Sequence, residues 1–225
     1  MSIANNLRRV RERMADACAR AGRDPNDVTL VAVTKYAPIE AVHGLIAEGQ
    51  TVLGESRPQQ LLERAAILTE PRPRWHLIGH LQRNKARKLL PEVDCIHSVD
   101  SLRLAEAIDR IAEELGIKPR VFVEVNISGE RSKDGFDVIA LQTAWPRLER
   151  LEHITIGGLM TMAPFTDDPE SARPVFRELR ELRDRLAADG RWPLPDLSMG
   201  LSGDFDIAIE EGATLIRVGH LLFED

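Results

Sequence analysis

The sequence has only two cysteines, Cys18 and Cys95, and they stand far apart. Neither a disulfide framework nor a CxxC metal site can be built from them, which suits a reducing cytoplasm. Positive charge is not in excess either. Thirty basic residues against 36 acidic ones leave a formal net charge of −6. That is the wrong sign for a protein whose whole surface binds nucleic acid or an anionic membrane. No apolar run approaches the roughly 20 residues of a membrane helix. The N-terminal stretch lacks the continuous apolar segment of a signal peptide, so the expected location is cytoplasmic. Low-complexity tracts are missing, as are HExxH, Walker A and GxGxxG patterns. What remains is ordinary globular material, 43% hydrophobic and 29% charged over 225 residues. That is enough chain to bury a core without disulfides or metals.

Apolar spacing sets the architecture. Ile3, Leu7, Val10, Met14 and Ala17 recur at helical intervals, so residues 1–22 read as an amphipathic helix. Eight short apolar runs follow: Thr29–Thr34, Thr51–Gly54, Trp75–Gly79, Cys95–Val99, Val121–Asn126, Ile154–Met160, Leu197–Met199 and Thr214–Val218. Helical patterns separate most of them, clearest over Ser101–Gly116, Ser171–Asp189 and Asp204–Gly212. Alternating strands and helices predict parallel strands with helical crossovers. Eight such units predict a closed (β/α)8 TIM barrel, with the N-terminal helix as an addition. An open doubly wound sheet is the alternative. No linker interrupts the pattern, so residues 1–225 read as a single domain.

Barrels of this kind carry their chemistry at the C-terminal ends of the strands. Those ends hold Lys35, Glu55, Ser56, His80, Ser98, Asn126, Ser128, Thr161, Ser198, Ser202 and Arg217. Lys35 follows the run Leu30–Thr34, from which its amine would enter the barrel mouth out of a dry strand. Burial would favour the neutral amine, the form that makes a Schiff base with an aldehyde. A lysine whose stem packs and whose head reaches water is the competing reading. The segment Leu197–Asp204 is rich in small residues, which let backbone approach a ligand, and Ser202 is a candidate N-cap of the helix that follows. With Arg217-Val218-Gly219-His220 it could form the phosphate clamp that this fold builds after its last two strands. The pair of features suggests a phosphorylated aldehyde. The basic group Arg83, Lys85, Arg87 and Lys88 reads as the solvated face of one helix rather than a nucleic-acid surface. His76 and His80 straddle a strand–loop junction, so helical metal-ligand geometry does not apply to them.

Several longer stretches resemble one family. VAVTK (31–35), WHLIGHLQRNK (75–85), IHSVDS (96–101), VEVNISGERSKDG (123–135), GGLMTMAP (157–164), LSMGLSGDFDIAIEEGAT (197–214) and IRVG (216–219) run in order along nearly the whole chain. They resemble the pyridoxal phosphate homeostasis proteins, also called the YggS or PROSC family. The resemblance implies a barrel like the N-terminal domain of alanine racemase. It implies that Lys35 holds pyridoxal 5′-phosphate (PLP) as a Schiff base. Ser198, Gly200, Ser202, Gly219 and the residue after it, His220, would hold the phosphate. Arg217 would lie near the pyridine nitrogen, and Met160 would border the cofactor. The chain departs from the family at Ser56, where asparagine is usual, and at His220, where serine or threonine is usual.

The same resemblance implies a role in intracellular PLP (vitamin B6) homeostasis and amino-acid balance, without catalytic turnover. Recipients would be PLP-dependent apo-enzymes, and the protein would be a monomer. An arginine at the pyridine nitrogen keeps that nitrogen unprotonated and weakens the electron sink that carbanion chemistry needs. A small PLP-dependent enzyme, such as an amino-acid racemase, is the alternative. Against it, the sequence has one tyrosine, Tyr36, and adjacent strand residues point to opposite faces unless the strand has already ended. A cofactor-free barrel enzyme acting on sugar phosphates is a third reading.

Overall fold

Period-two alternation organises the interior. In the computed structural model, which describes residues 2–130 and 132–224, eight strands close in chain order into a parallel barrel. They are β1 (Thr29–Val33), β2 (Val52–Glu55), β3 (Arg74–Leu77), β4 (Cys95–Val99), β5 (Arg120–Glu124), β6 (Thr155–Met160), β7 (Asp196–Ser198) and β8 (Leu215–Val218). The ring is sealed where β1 pairs with β8, with Val31 beside Arg217. The barrel expected from the alternation is the fold observed, and the open sheet is excluded. Met1, Arg131 and Asp225 lie outside the described residues. They take with them one residue each of the expected 1–22 segment, the 123–135 motif and the C-terminus.

The helices are α1 (Ile3–Arg20), α2 (Ile39–Ala47), α3 (Pro58–Ile67), α4 (Arg83–Leu89), α5 (Leu102–Leu115), α6 (Val138–Leu148), α7 (Arg173–Asp189), α8 (Phe205–Glu210) and α9 (His220–Phe223). Local chemistry sets their limits. The Ser101 hydroxyl accepts from the Leu104 N–H at 3.3 Å, and Gly116 ends α5 at φ 66°, where a side chain would be strained. The helix expected from Ser171 starts two residues later, at Arg173. Pro174 sits in the first turn of α7, where its missing N–H costs least, and Pro169–Ala172 forms a 3-10 turn before it. On α4, Ala86 and Leu89 are buried while Arg83, Lys85, Arg87 and Lys88 face outward, with Arg87 paired to Glu114.

Strand parity divides the core in two. Leu30, Ala32, Leu53, Leu77 and Ile96 point outward into the large layer beneath the helices. Val31, Val52, Cys95, Phe122, Met160 and Leu215 form a small inner cluster. The rest of the inner face is polar: His76, His97, Glu124, Ser198 and Arg217 are all at most 5% exposed. Outside the ring, α1 packs on α8 and α9. Arg13 and Arg20 pair with Asp206 and Glu210 of α8. The Asn6 amide donates to the carbonyls of Leu222 at 3.3 Å and Glu224 at 2.8 Å. Among the described residues, no helix is long and apolar enough to cross a membrane.

Candidate functional site

The C-terminal mouth of the barrel gathers the expected residues unevenly. β1 ends at Val33, and Lys35 lies in the turn beyond it, exposed. The dry strand that was to bury its amine is therefore absent. Its Nζ sits 5.0 Å from the centroid of the Tyr36 ring, so the strand has indeed ended and the two neighbours do meet. The backbone of this turn is held from outside. Arg64 of α3 donates through Nη1 to the Thr34 carbonyl at 2.8 Å and through Nη2 to the Ala37 carbonyl at 2.6 Å. Its Nη1 also pairs with the Glu55 carboxylate at 2.7 Å, and Thr34 Oγ1 donates to the same oxygen at 2.6 Å. Glu55 is fully buried, and burial raises its pKa against the pull of Thr34 and Arg64. Arg64 thus clamps both sides of Lys35–Tyr36, a role the sequence pattern did not single out.

The two halves of the expected phosphate clamp come together. Ser202 Oγ accepts from the Gly219 N–H at 3.4 Å. Both glycines are required by space. A Cβ on Gly200, at φ 93°, would lie 2.6 Å from Ala208 Cβ, and one on Gly219 would lie 3.1 Å from the Val33 carbonyl oxygen. Ser202 is not the cap of α8, however. Asp204 precedes that helix and accepts from the Leu201 N–H at 2.6 Å. Its carboxylate closes the loop on itself. His220 opens the short α9 and turns its ring to solvent, where Nε2 meets Glu224 at 2.8 Å. Ser56 lies at the bend after β2, and its carbonyl crowds Gly79, where a Cβ would come within 2.3 Å.

Ser198 and Arg217 belong to the barrel interior. Arg217 donates through Nη1 to Ser198 Oγ at 2.5 Å and through Nη2 to the Thr161 carbonyl at 2.9 Å. Burial lowers its pKa to about 10, while Glu124 and Asp204 oppose the shift, so it stays cationic at neutral pH. Ser198 Oγ also meets His97 Nδ1 at 2.7 Å, and His97 Nε2 meets His76 Nδ1 at 2.9 Å. The hydroxyl implied as a phosphate ligand is thus engaged by an arginine and an imidazole. Met160 lies in the inner cluster, fully buried. Glu124 points to the same axis, and burial lifts its carboxyl to about 7, only partly opposed by Arg217. An acid inside the apolar run Val121–Asn126 was the available signal for it. His97, inside Cys95–Val99, carried the same kind of signal.

The arrangement offers an accessible amine, a fixed guanidinium on the axis and two closely packed glycine loops. The alanine racemase N-terminal domain model matches residues 2–225. The pyridoxal phosphate homeostasis protein of Aquifex aeolicus is 42% identical over 223 residues, covering 99% of this chain and 98% of that one. Its human counterpart is 37% identical over 240 residues, covering 99% of this chain and 86% of that one. PipY of Synechococcus elongatus, solved with PLP bound, superposes with a TM-score of 0.89 at 38% identity, covering 99% of this chain and 100% of that one. The chain belongs to the pyridoxal phosphate homeostasis protein family, built on the alanine racemase N-terminal domain fold.

Proposed function

We propose that this protein binds PLP at the C-terminal mouth of the barrel and acts as its carrier in PLP homeostasis and amino-acid balance. One observation carries the reading. Lys35, in the turn just past the end of β1, and Arg217, on β8, belong to the two strand ends that close the barrel, next to the loops that Ser202 and Gly219 tie together. PLP, when bound, supplies an aldehyde that an amine captures as a Schiff base with loss of water.

The residues present fit that group. Lys35 presents the amine from an exposed turn whose backbone Arg64 holds. Gly200, Ser202 and Gly219 would form the phosphate cradle, where the two glycines let the loops pack closely and Ser202 ties them together. Arg217, cationic at neutral pH, would serve the pyridine nitrogen, which would then keep its lone pair and support carbanion chemistry poorly. Met160 borders the ring, and Ser56 lies at the rim. In this reading Ser198 aligns Arg217 instead of touching the phosphate. The His220 ring, paired with Glu224, takes no part. The protein works as a cytoplasmic monomer that passes PLP to apo-enzymes and does not turn over substrate.

The test is the visible spectrum of the purified protein given PLP, before and after borohydride, followed by peptide mass mapping. The expected result is a yellow band lost on reduction, with the pyridoxyl mass on Lys35. No band, or a label elsewhere, overturns the anchor. Sustained amino-acid turnover that disappears in Lys35→Ala overturns the carrier role.

A further inference from the structure

The opposite end of the barrel holds a feature that the cofactor reading leaves unused. At the N-terminal ends of the strands lies a cavity of about 250 Å3, lined by Arg74, His76, Asp94, Cys95, Arg120 and Asp196 among others. His76 is among its lining residues, 3% exposed, and its Nε2 is buried without a hydrogen-bond partner. A buried polar atom left open needs an explanation.

The hydrogen-bond chain above it fixes what that atom is. Ser198 Oγ accepts from Arg217, and among the described residues its own hydrogen has one acceptor, His97 Nδ1. Both imidazoles are neutral. Burial, helped by Arg74 and Arg120, lowers His76 to about 3, and burial holds His97 well below its ordinary value. A neutral ring that accepts at Nδ1 carries its proton on Nε2. His97 therefore donates from Nε2 to His76 Nδ1, and His76 in turn carries its proton on Nε2. The open atom is an N–H donor on a ring that lines the cavity.

That polarity decides the class of ligand. The side chains of His76, Cys95 and His97 bring their ligand atoms within 4.8 Å of one another, a spacing that suits a soft metal ion. Yet both lone-pair nitrogens accept within the chain, and burial keeps the Cys95 thiol protonated. The lining holds two arginines and two aspartates, but the charges that act on His76 are those of Arg74 and Arg120. Asp196 is paired with Arg120 and accepts from Thr214 Oγ1 at 3.0 Å, and Asp94 accepts from the Trp75 N–H at 2.8 Å. Arg74 has no acid paired to it among the described residues.

We propose that this cavity at the barrel floor is a second binding site, which takes a small oxoanion between the Arg74 guanidinium and the His76 Nε2–H. The site goes beyond the cofactor reading and does not depend on it. Guanidinium and N–H are both pure donors, and a phosphate or sulfate offers only acceptors to them. Arg120 adds positive potential from the far side, held in place by Asp196. The ligand is either a free oxoanion or the phosphoryl end of a small metabolite.

The experiment is histidine ring 15N NMR on the full-length, PLP-free protein. Without ligand, His76 is expected to show a protonated Nε2 and an unprotonated Nδ1. Inorganic phosphate and glycerol 3-phosphate are then titrated separately. Movement of the His76 Nε2 signal with either probe supports the site, and the two arms tell the free ion from the esterified group. Arg74→Ala, an exposed position, should weaken that response at least tenfold. Ser202→Ala, at the other mouth, should leave it unchanged. An unprotonated His76 Nε2, a signal that ignores both probes, a response to Zn2+ in their place, or an unaltered titration in Arg74→Ala would each overturn the proposal.

Discussion

Replacing Arg64 with methionine tests how the lysine turn is held. The substitution keeps an unbranched apolar stem and removes the charged head. It withdraws the donors at 2.8 and 2.6 Å from the Thr34 and Ala37 carbonyls, and the partner at 2.7 Å from Glu55. The carbonyls flank an exposed turn and can turn to water, so their loss is the smaller part. Glu55 is fully buried and cannot. Breaking one side of a buried pair costs about 3–5 kcal/mol. Set against a total stability of about 5–15 kcal/mol, the variant should fold but unfold at much lower urea. The cost should depend on pH in a stated direction. Without its cation, Glu55 favours the protonated form even more strongly in the folded state. The folded state then binds the extra proton, and the penalty is smallest at acid pH and grows as pH rises. Urea titrations at pH 5.5 and pH 8, followed by circular dichroism, measure this. Arg64→Met combined with Glu55→Gln should recover much of the loss at pH 8, and PLP capture should fall in the single variant. A cost below about 1 kcal/mol at pH 8, against the 3–5 kcal/mol of a broken buried pair, would refute the clamp. So would a double variant no better than the single one.

The Glu124 carboxyl, raised to about 7, binds a proton in the folded state over the range from its ordinary value up to about 7. Stability should therefore fall as pH rises through that range. Glu124→Gln should flatten the slope and gain roughly 3 kcal/mol at pH 8 in urea unfolding. Gly200→Ala places a Cβ at φ 93° and 2.6 Å from Ala208, so thermal unfolding should show a loss of about 2 kcal/mol or more and PLP retention should drop. Arg173, Arg177 and Arg180 of α7 converge on the buried Glu211, at 3.2, 3.0 and 3.1 Å. Glu211→Ala leaves three like charges facing one another and should lower stability by about 2–4 kcal/mol, part of it recovered by added salt.

The fold was largely legible because its signals are local. Alternation marked all eight strands, including the three-residue β7, to within two residues at each end, and Ser101 with Gly116 bracketed α5. The site was less legible because its decisive facts lie between strands. Nothing in the spacing of His76 and His97 announces that β3 and β4 put their rings 5.0 Å apart. The pairing at Ser198 comes from a strand about a hundred residues further along. Lys35 was misplaced by a boundary. Thr34 looks like strand continuation, but its hydroxyl turns out to Glu55 and the chain has already begun to turn. The cap of α8 was missed because Ser202 and Asp204 are both good capping residues. Neither side chain caps the helix in the end: Ser202 accepts from Gly219, and Asp204, at the cap position, turns its carboxylate back to Leu201.

The seam between the first and last strands has a consequence for a chain still being made. Lys35 and Arg217 come to the same end of the ring only because residues 29–32 pair with residues 215–218. During synthesis the lysine emerges early, while Arg217 and the loops of Ser202 and Gly219 are still to come. A growing chain therefore exposes a free amine with no site around it, and the mouth is assembled only when the final strand leaves the ribosome and docks. Closure of the ring by β8 is thus the step on which the whole mouth depends.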